Sequence, residues 1–268
     1  MKIGIIGYGS MGKMLTEKFS AFENVGNSNV YLTNRHLEKV NHLTEKYHVM
    51  KTNSEVAAAA DLIFVCVRPQ DIKLVLEEIK NHITDEKLVV SLNGSVSFAL
   101  MEKVVDCKIA KMIPSVTAQV NRSETLICYN DRCCEEDKCN LNRLLQCMGE
   151  VIELPEHEMG IGSELVSCMP GFVASIFDVI CKEAQKHTSL GQEQVVDMVL
   201  KTLSATGELM LEKHMTFENI VSQVATKGGI TEEGTKVIYE QFPATVEELF
   251  KRTLEKRRTT AEKVGELF

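Results

Sequence analysis

Several catalytic signatures are missing from this chain. It has no HExxH pair for a catalytic zinc, no GxSxG elbow for a serine nucleophile and no Walker phosphate loop. Its seven histidines are scattered, with no partner at catalytic spacing. An excess of basic charge is also missing. The formal net charge is −8, from 30 basic and 38 acidic side chains, and such a chain repels nucleic acid and anionic lipid. The one basic cluster, Lys251-Arg252 with Lys256-Arg257-Arg258, is interleaved with Glu255 and reads as the solvated face of a helix. Neither a nucleic acid nor a membrane is an expected partner. The nine cysteines are odd in number and show no disulfide framework, which fits a reducing compartment. Cys133-Cys134 with Cys139 matches no zinc spacing, so no metal is expected. No apolar run reads as long enough to cross a bilayer. The opening Met1-Lys2-Ile3-Gly4-Ile5-Ile6-Gly7 is too short for a signal segment and is broken by glycine, so a cytoplasmic location is expected. There are no low-complexity segments and no internal repeats.

What is present is a chain of 268 residues, enough for two modest domains. Its first half alternates short β-rich runs with helical patterns. The predicted strands are Lys2–Ile6, Val30–Leu32, Leu62–Val67, Leu88–Leu92, Lys108–Ile113, Thr125–Tyr129 and Val151–Leu154. Several are apolar throughout, as strands of a sheet covered on both faces should be. Helical patterns such as Gly12–Phe22 and Ile72–Lys80 lie between them, and that alternation predicts βαβ units in a parallel sheet. After Pro155 no strand is predicted. Leu165–Ala184 reads as a helix with Pro170 near its first turn, apolar nearly all round, hence buried and in need of a partner subunit. Val195–Lys213, Phe217–Val224, Ile230–Gln241 and Thr245–Glu266 read as further helices. The predicted domains are 1–155 and 156–268.

The strongest motif is Gly7-Tyr8-Gly9-Ser10-Met11-Gly12, which follows a strand and opens a helix. Gly7 permits the tight turn, Gly9 lets the backbone approach a pyrophosphate, and Gly12 lets strand and helix pack closely. The helix N-terminus then offers free N–H groups to the phosphates. At the end of the second strand, Leu32-Thr33-Asn34-Arg35-His36 has no acid for a ribose 2′-hydroxyl. Arg35 instead offers a planar cation suited to a 2′-phosphate, so NADPH is preferred over NADH. Val67-Arg68-Pro69-Gln70 falls at a strand's carboxyl end, where such sheets bind ligands, and reads either as a cofactor wall or as a helix-start turn. A second glycine element, Thr226-Lys227-Gly228-Gly229-Ile230-Thr231, precedes a helix start. It reads either as an anion nest for a substrate carboxylate or as an ordinary capped helix.

In their order and spacing these segments resemble pyrroline-5-carboxylate reductase. The resemblance also runs through Ala60-Asp61, Leu88–Ser91, Ile113-Pro114-Ser115-Val116-Thr117, Gly149-Glu150-Val151 and Leu165–Phe172, and it closes with Lys227-Gly228-Gly229-Ile230-Thr231. It implies an N-terminal α/β Rossmann-type doubly wound sheet followed by an all-α C-terminal dimerisation domain. It implies hydride transfer from NAD(P)H to the C=N carbon of a cyclic imino acid, giving L-proline. Thr231 would hydrogen-bond the ring nitrogen, and Thr226 to Gly229 would hold the carboxylate. The cofactor set would be Gly7, Tyr8, Gly9, Ser10, Met11, Gly12, Asn34, Arg35, Asn53, Val67, Arg68, Pro69, Gln70, Asn93 and Pro114. Intertwined homodimers, or larger homo-oligomers, are implied, with the site at the dimer interface. The chain departs from the family pattern at Val166–Gly171, where Met169 stands for a glycine, at Ser115, and at Lys227, which adds a cation beside the nest. In these changes it resembles the divergent late-competence-operon branch, for which an accessory or regulatory role is the alternative. Hydroxyacid dehydrogenases of similar plan carry a lysine and an asparagine four residues apart after the boundary. Lys182 with Lys186 does not supply that pair.

Overall fold

The computed structural model describes all 268 residues. Eight strands form one sheet in the order β3-β2-β1-β4-β5-β6-β7-β8. They are β1 Ile3–Ile6, β2 Val30–Thr33, β3 His48–Val49, β4 Leu62–Val65, β5 Leu88–Ser91, β6 Lys108–Ile113, β7 Ser123–Tyr129 and β8 Gly149–Glu153. The helices of this region are α1 Ser10–Ser20, α2 Asn53–Ala59, α3 Ile72–Ile79, α4 Phe98–Met101 and α5 Glu135–Leu145.

The apolar strands divide their side chains between two cores, one on each face. Ile3, Ile5, Leu62, Phe64, Leu88 and Val90 face a core shared with Leu15 and Phe19 of α1 and Leu141 and Leu144 of α5. Ile6, Ile63, Val65 and Val89 face the other, shared with Val56 of α2, Ile72 and Leu76 of α3, and Phe98 of α4. Burial on both faces is why these strands read as continuous apolar runs rather than as alternating ones.

The sheet departs from the all-parallel expectation at one place, because β6 pairs with β7 antiparallel. Their connection is a short turn through Val116–Val120, closed by Asn121 in the left-handed region at φ 58°. A parallel crossover needs a dozen or more residues, and this link has too few. The two-residue β3 was not predicted; His48 and Val49 are too short a run to show a pattern.

The predicted helix Leu165–Ala184 begins earlier than expected. A continuous helical run extends over Glu156–His187, including α6 Met159–Ser163, a π turn at Glu164–Cys168 and α7 Met169–Ala184. Pro170 therefore lies inside the run, not near its start. The π turn just before it widens the helix where the proline ring would meet the carbonyl four residues back. This run is long and apolar enough, by length and composition, to span a bilayer, contrary to the sequence reading. No residue of α7 is buried within the single chain, so the expected burial is not supplied by the chain itself.

Compactness divides the chain into Met1–Pro170 with Leu254–Phe268, and Gly171–Thr253. Strand content changes near Pro155, but the first turns after it pack on the sheet through Met159, as Val264 does from the other end of the chain. The second unit contains α8 Gln192–Glu212 and α9 Phe217–Val224. The helix α10, Ile230–Gly265, is one element where two were expected, with Pro243 inside it. A proline removes one backbone hydrogen bond, and helix of over a dozen residues on either side carries the run past that gap.

The basic cluster is solvated only in part. Arg252 pairs with Glu248 and Arg258 with Glu255 and Glu262 on the helix surface. Arg257 instead turns inward to Glu164, a partner the sequence reading did not foresee.

Candidate functional site

The chain order reverses between β1 and β4, and the carboxyl ends of β1, β2 and β4 open there into a cleft of about 700 Å³. The sequence GYGSMG builds its floor. Gly7 has φ +97°, and a Cβ there would lie 2.9 Å from the Cys66 carbonyl oxygen. A Cβ on Gly12 would overlap the Gly7 carbonyl oxygen. At Gly9 nothing lies within 4 Å of the position a Cβ would take, so that face is open for a ligand. Helix α1 starts here with no side-chain cap and no acid in its first turn. Its first N–H groups are thus left to an anion. A dinucleotide pyrophosphate fits this cradle by shape and by charge.

Asn34 links the glycine turn to β2. Its Oδ1 accepts from Tyr8 N–H at 3.0 Å, and its Nδ2 donates to the His36 carbonyl at 3.0 Å. Arg35 lies 3.6 Å from Asp71 with its side chain 72% exposed, a weak surface pair that leaves the guanidinium able to turn to a phosphate. Burial, and secondarily Glu17, pushes the Tyr8 phenol up, so it stays a protonated donor. Burial pushes the Cys66 thiol beneath the turn up to about 12, so no thiolate faces the cleft.

Of the predicted cofactor residues, Gly7, Tyr8, Gly9, Asn34, Arg35, Asn53, Val67 and Arg68 line this cleft. Asn53 donates to Glu78 across it at 2.5 Å. Ser10, Met11 and Gly12 form the first turn of α1. Pro69 and Gln70 form a single 3-10 turn at the foot of α3, with Gln70 exposed. Asn93 and Pro114 are buried just beyond the ends of β5 and β6, and Asn93 Nδ2 donates to the Val67 carbonyl at 3.3 Å. The sequence reading missed Lys39 and Lys51, which line the same cleft as Arg35 and His36 and, with Arg68, outnumber the acids Asp71 and Glu78 there. No local motif marks them; only their positions just after β2 and just before α2 hint at the site.

The second glycine element lies in the other unit. Gly229 N–H donates to the Thr226 carbonyl at 2.8 Å, closing a tight turn in which Gly228 has φ +73°. Gly228 N–H donates to Glu232 Oε2 at 2.7 Å. A carboxylate thus sits on one of the N–H groups assigned to a substrate carboxylate, and it comes from the chain's own helix. Lys227 and Thr231 are exposed.

Comparison with known proteins agrees with both halves. Residues 2–95 match the family described as NADP oxidoreductase coenzyme F420-dependent, and residues 156–260 match the pyrroline-5-carboxylate reductase dimerisation family. Pyrroline-5-carboxylate reductase 3 of Bacillus subtilis is 31% identical over 267 residues, covering 98% of each chain. ComE operon protein 4 of the same organism is 28% identical, covering 95% of this chain and 93% of that one. The solved pyrroline-5-carboxylate reductase of Coxiella burnetii superposes with a TM-score of 0.83 at 25% identity, covering 98% of each chain. The Plasmodium falciparum enzyme, solved with NADP bound, shares the fold with a TM-score of 0.83 at 22% identity, covering 100% of this chain and 98% of that one. From the glycine cradle through the dimerisation helices, this chain belongs to the pyrroline-5-carboxylate reductase family.

Proposed function

We propose that this protein is an NADPH-dependent reductase of a cyclic imino acid, 1-pyrroline-5-carboxylate, giving L-proline. The observation that carries the reading is the cleft: an uncapped helix start over a glycine cradle, with a cationic rim and no acid at the end of β2. Bound NADPH supplies a hydride. The chain's residues do the rest. The N–H groups of α1 hold the pyrophosphate, and Asn34 fixes the turn that presents them. Arg35, assisted by Lys39 and Lys51, takes the 2′-phosphate. Asn93 and Pro114 wall the far end of the crevice. The loop from Thr226 to Gly229 orders the substrate carboxylate, which displaces Glu232 from the Gly228 N–H. Lys227 adds a cation beside it. The Thr231 hydroxyl hydrogen-bonds the ring nitrogen. No strong general acid is needed, because water protonates a cyclic imine readily and the protein has mainly to align two reactants.

The dimerisation match implies a homo-oligomer. We infer a homodimer formed through the helical domain, acting in the cytoplasm.

The test is NADPH oxidation with pyrroline-5-carboxylate, with Thr231→Val as the control. Turnover by the wild type and loss of most of kcat in the variant are expected. Tight NADPH binding without turnover would favour an accessory role, the reading to which Met169 and the kinship with ComE operon protein 4 lend support.

A further inference from the structure

The sheet unit buries an ion pair that none of the roles above uses. Glu164 opens the π turn with its side chain 2% exposed, and Arg257 comes from the last turns of α10 with 22% exposed. Arg257 Nε and Nη2 both donate to Glu164 Oε1, at 3.2 and 2.8 Å. The guanidinium lies against a glycine: a Cβ on Gly94 would stand 3.4 Å from Arg257 Nη1 and 3.0 Å from Ile113 Cδ1. Gly94 follows Asn93, whose amide donates to the carbonyl of Val67 in the cofactor cleft. A continuous line of contact therefore runs from Glu164 through Arg257 and the Asn93-Gly94 turn to the cleft wall.

A buried pair of this kind is a poor way to gain stability, since apolar residues of similar volume do as well or better. What it does supply is direction. A guanidinium that donates from two of its nitrogens to one carboxylate oxygen is held in one orientation, and here its remaining arm faces the turn at the carboxyl end of β5. Carboxyl strand ends are where sheets of this type bind their ligands.

We propose that Arg257, fixed by Glu164, is a positioning residue for hydride transfer. It backs the Asn93-Gly94 turn so that the wall beside the nicotinamide stays in place. The inference rests on the reading that the cleft takes NADPH and that the enzyme reduces an imine.

The decisive variant is Glu164→Leu with Arg257→Met, which removes both charges and strands neither. Melting temperature, NADPH affinity, emission of the bound nicotinamide and kcat are measured together. The melting temperature should hold and NADPH affinity should change little, because the pyrophosphate and adenosine contacts are untouched. The bound nicotinamide emission should shift, and kcat should fall by about tenfold to a hundredfold, the effect of a small misplacement of reacting atoms. Arg257→Lys alone should recover part of that loss. Wild-type emission and wild-type kcat in the double variant would overturn the proposal. Should the double variant not fold, Arg257→Lys decides: reduced kcat with unchanged KM for NADPH supports the proposal, and unchanged kcat overturns it. Should the wild type not turn over pyrroline-5-carboxylate, the functional reading fails by itself, and the emission of the binary complex still decides the role of Arg257.

Discussion

In the proposed reading, cofactor choice turns on Arg35. It is paired only loosely with Asp71, so little is lost when it swings to a phosphate. A charge-assisted contact of this type contributes about 1.5–3 kcal/mol. Arg35→Ala should therefore weaken NADPH binding by about tenfold to a hundredfold and leave NADH binding almost unchanged, as read by nicotinamide fluorescence titration. Equal losses for both cofactors would place the 2′-phosphate elsewhere. The cysteines give a second residue-scale test. Cys134 and Cys139 are exposed, whereas burial pushes the thiols of Cys66 and Cys107 up to about 12. Mass spectrometry after brief alkylation near pH 8 should find label on Cys134 and Cys139 and none on Cys66 or Cys107, since the thiolate is the reactive form. At this scale the sequence is legible where backbone chemistry is local. Gly7 and Gly12 announce themselves because one turn type demands them. Lys39, Lys51 and the Arg257–Glu164 pair do not, because only the folded chain brings them beside their partners.

Elements were readable to the extent that their hydrophobic pattern was uninterrupted. Lys108–Ile113 and Phe217–Val224 have the boundaries their sequence predicts, since each is bounded by residues that end its pattern. Two of the misreadings involve proline. Pro170 marked a helix start in the sequence but lies within a run that a π turn accommodates, and Pro243 marked a break that α10 bridges. An interior proline costs about 3 kcal/mol relative to alanine in a helix, partly offset by its stiffening of the unfolded chain. Position 243 is exposed in the single chain, so no packing within the chain is lost on replacement. Pro243→Ala should raise the melting temperature by a few degrees in a calorimetric scan. A lower melting temperature would mean that the proline is needed to shape α10.

For the whole molecule, the sheet covered on both faces was legible because apolar strands separated by helical patterns have few other solutions. The function of the helical half was not legible from its own chemistry. Its helices present large apolar side chains to solvent in the single chain, among them Leu211, Phe217 and Ile230, and only the family resemblance gives that exposure a purpose. Faces of this kind mark association surfaces. Sedimentation at micromolar concentration should find a dimer or a multiple of one, and a monomer under those conditions would contradict the proposed assembly. The central claim, that the cradle and the glycine loop together serve reduction of a cyclic imine, is tested most directly by tracing the hydride. Pyrroline-5-carboxylate is incubated with the protein and NADPH deuterated at both C4 positions, and the product is analysed by mass spectrometry. The account predicts L-proline carrying one deuterium at C5. Oxidation of NADPH without proline, or proline without the label, would contradict it.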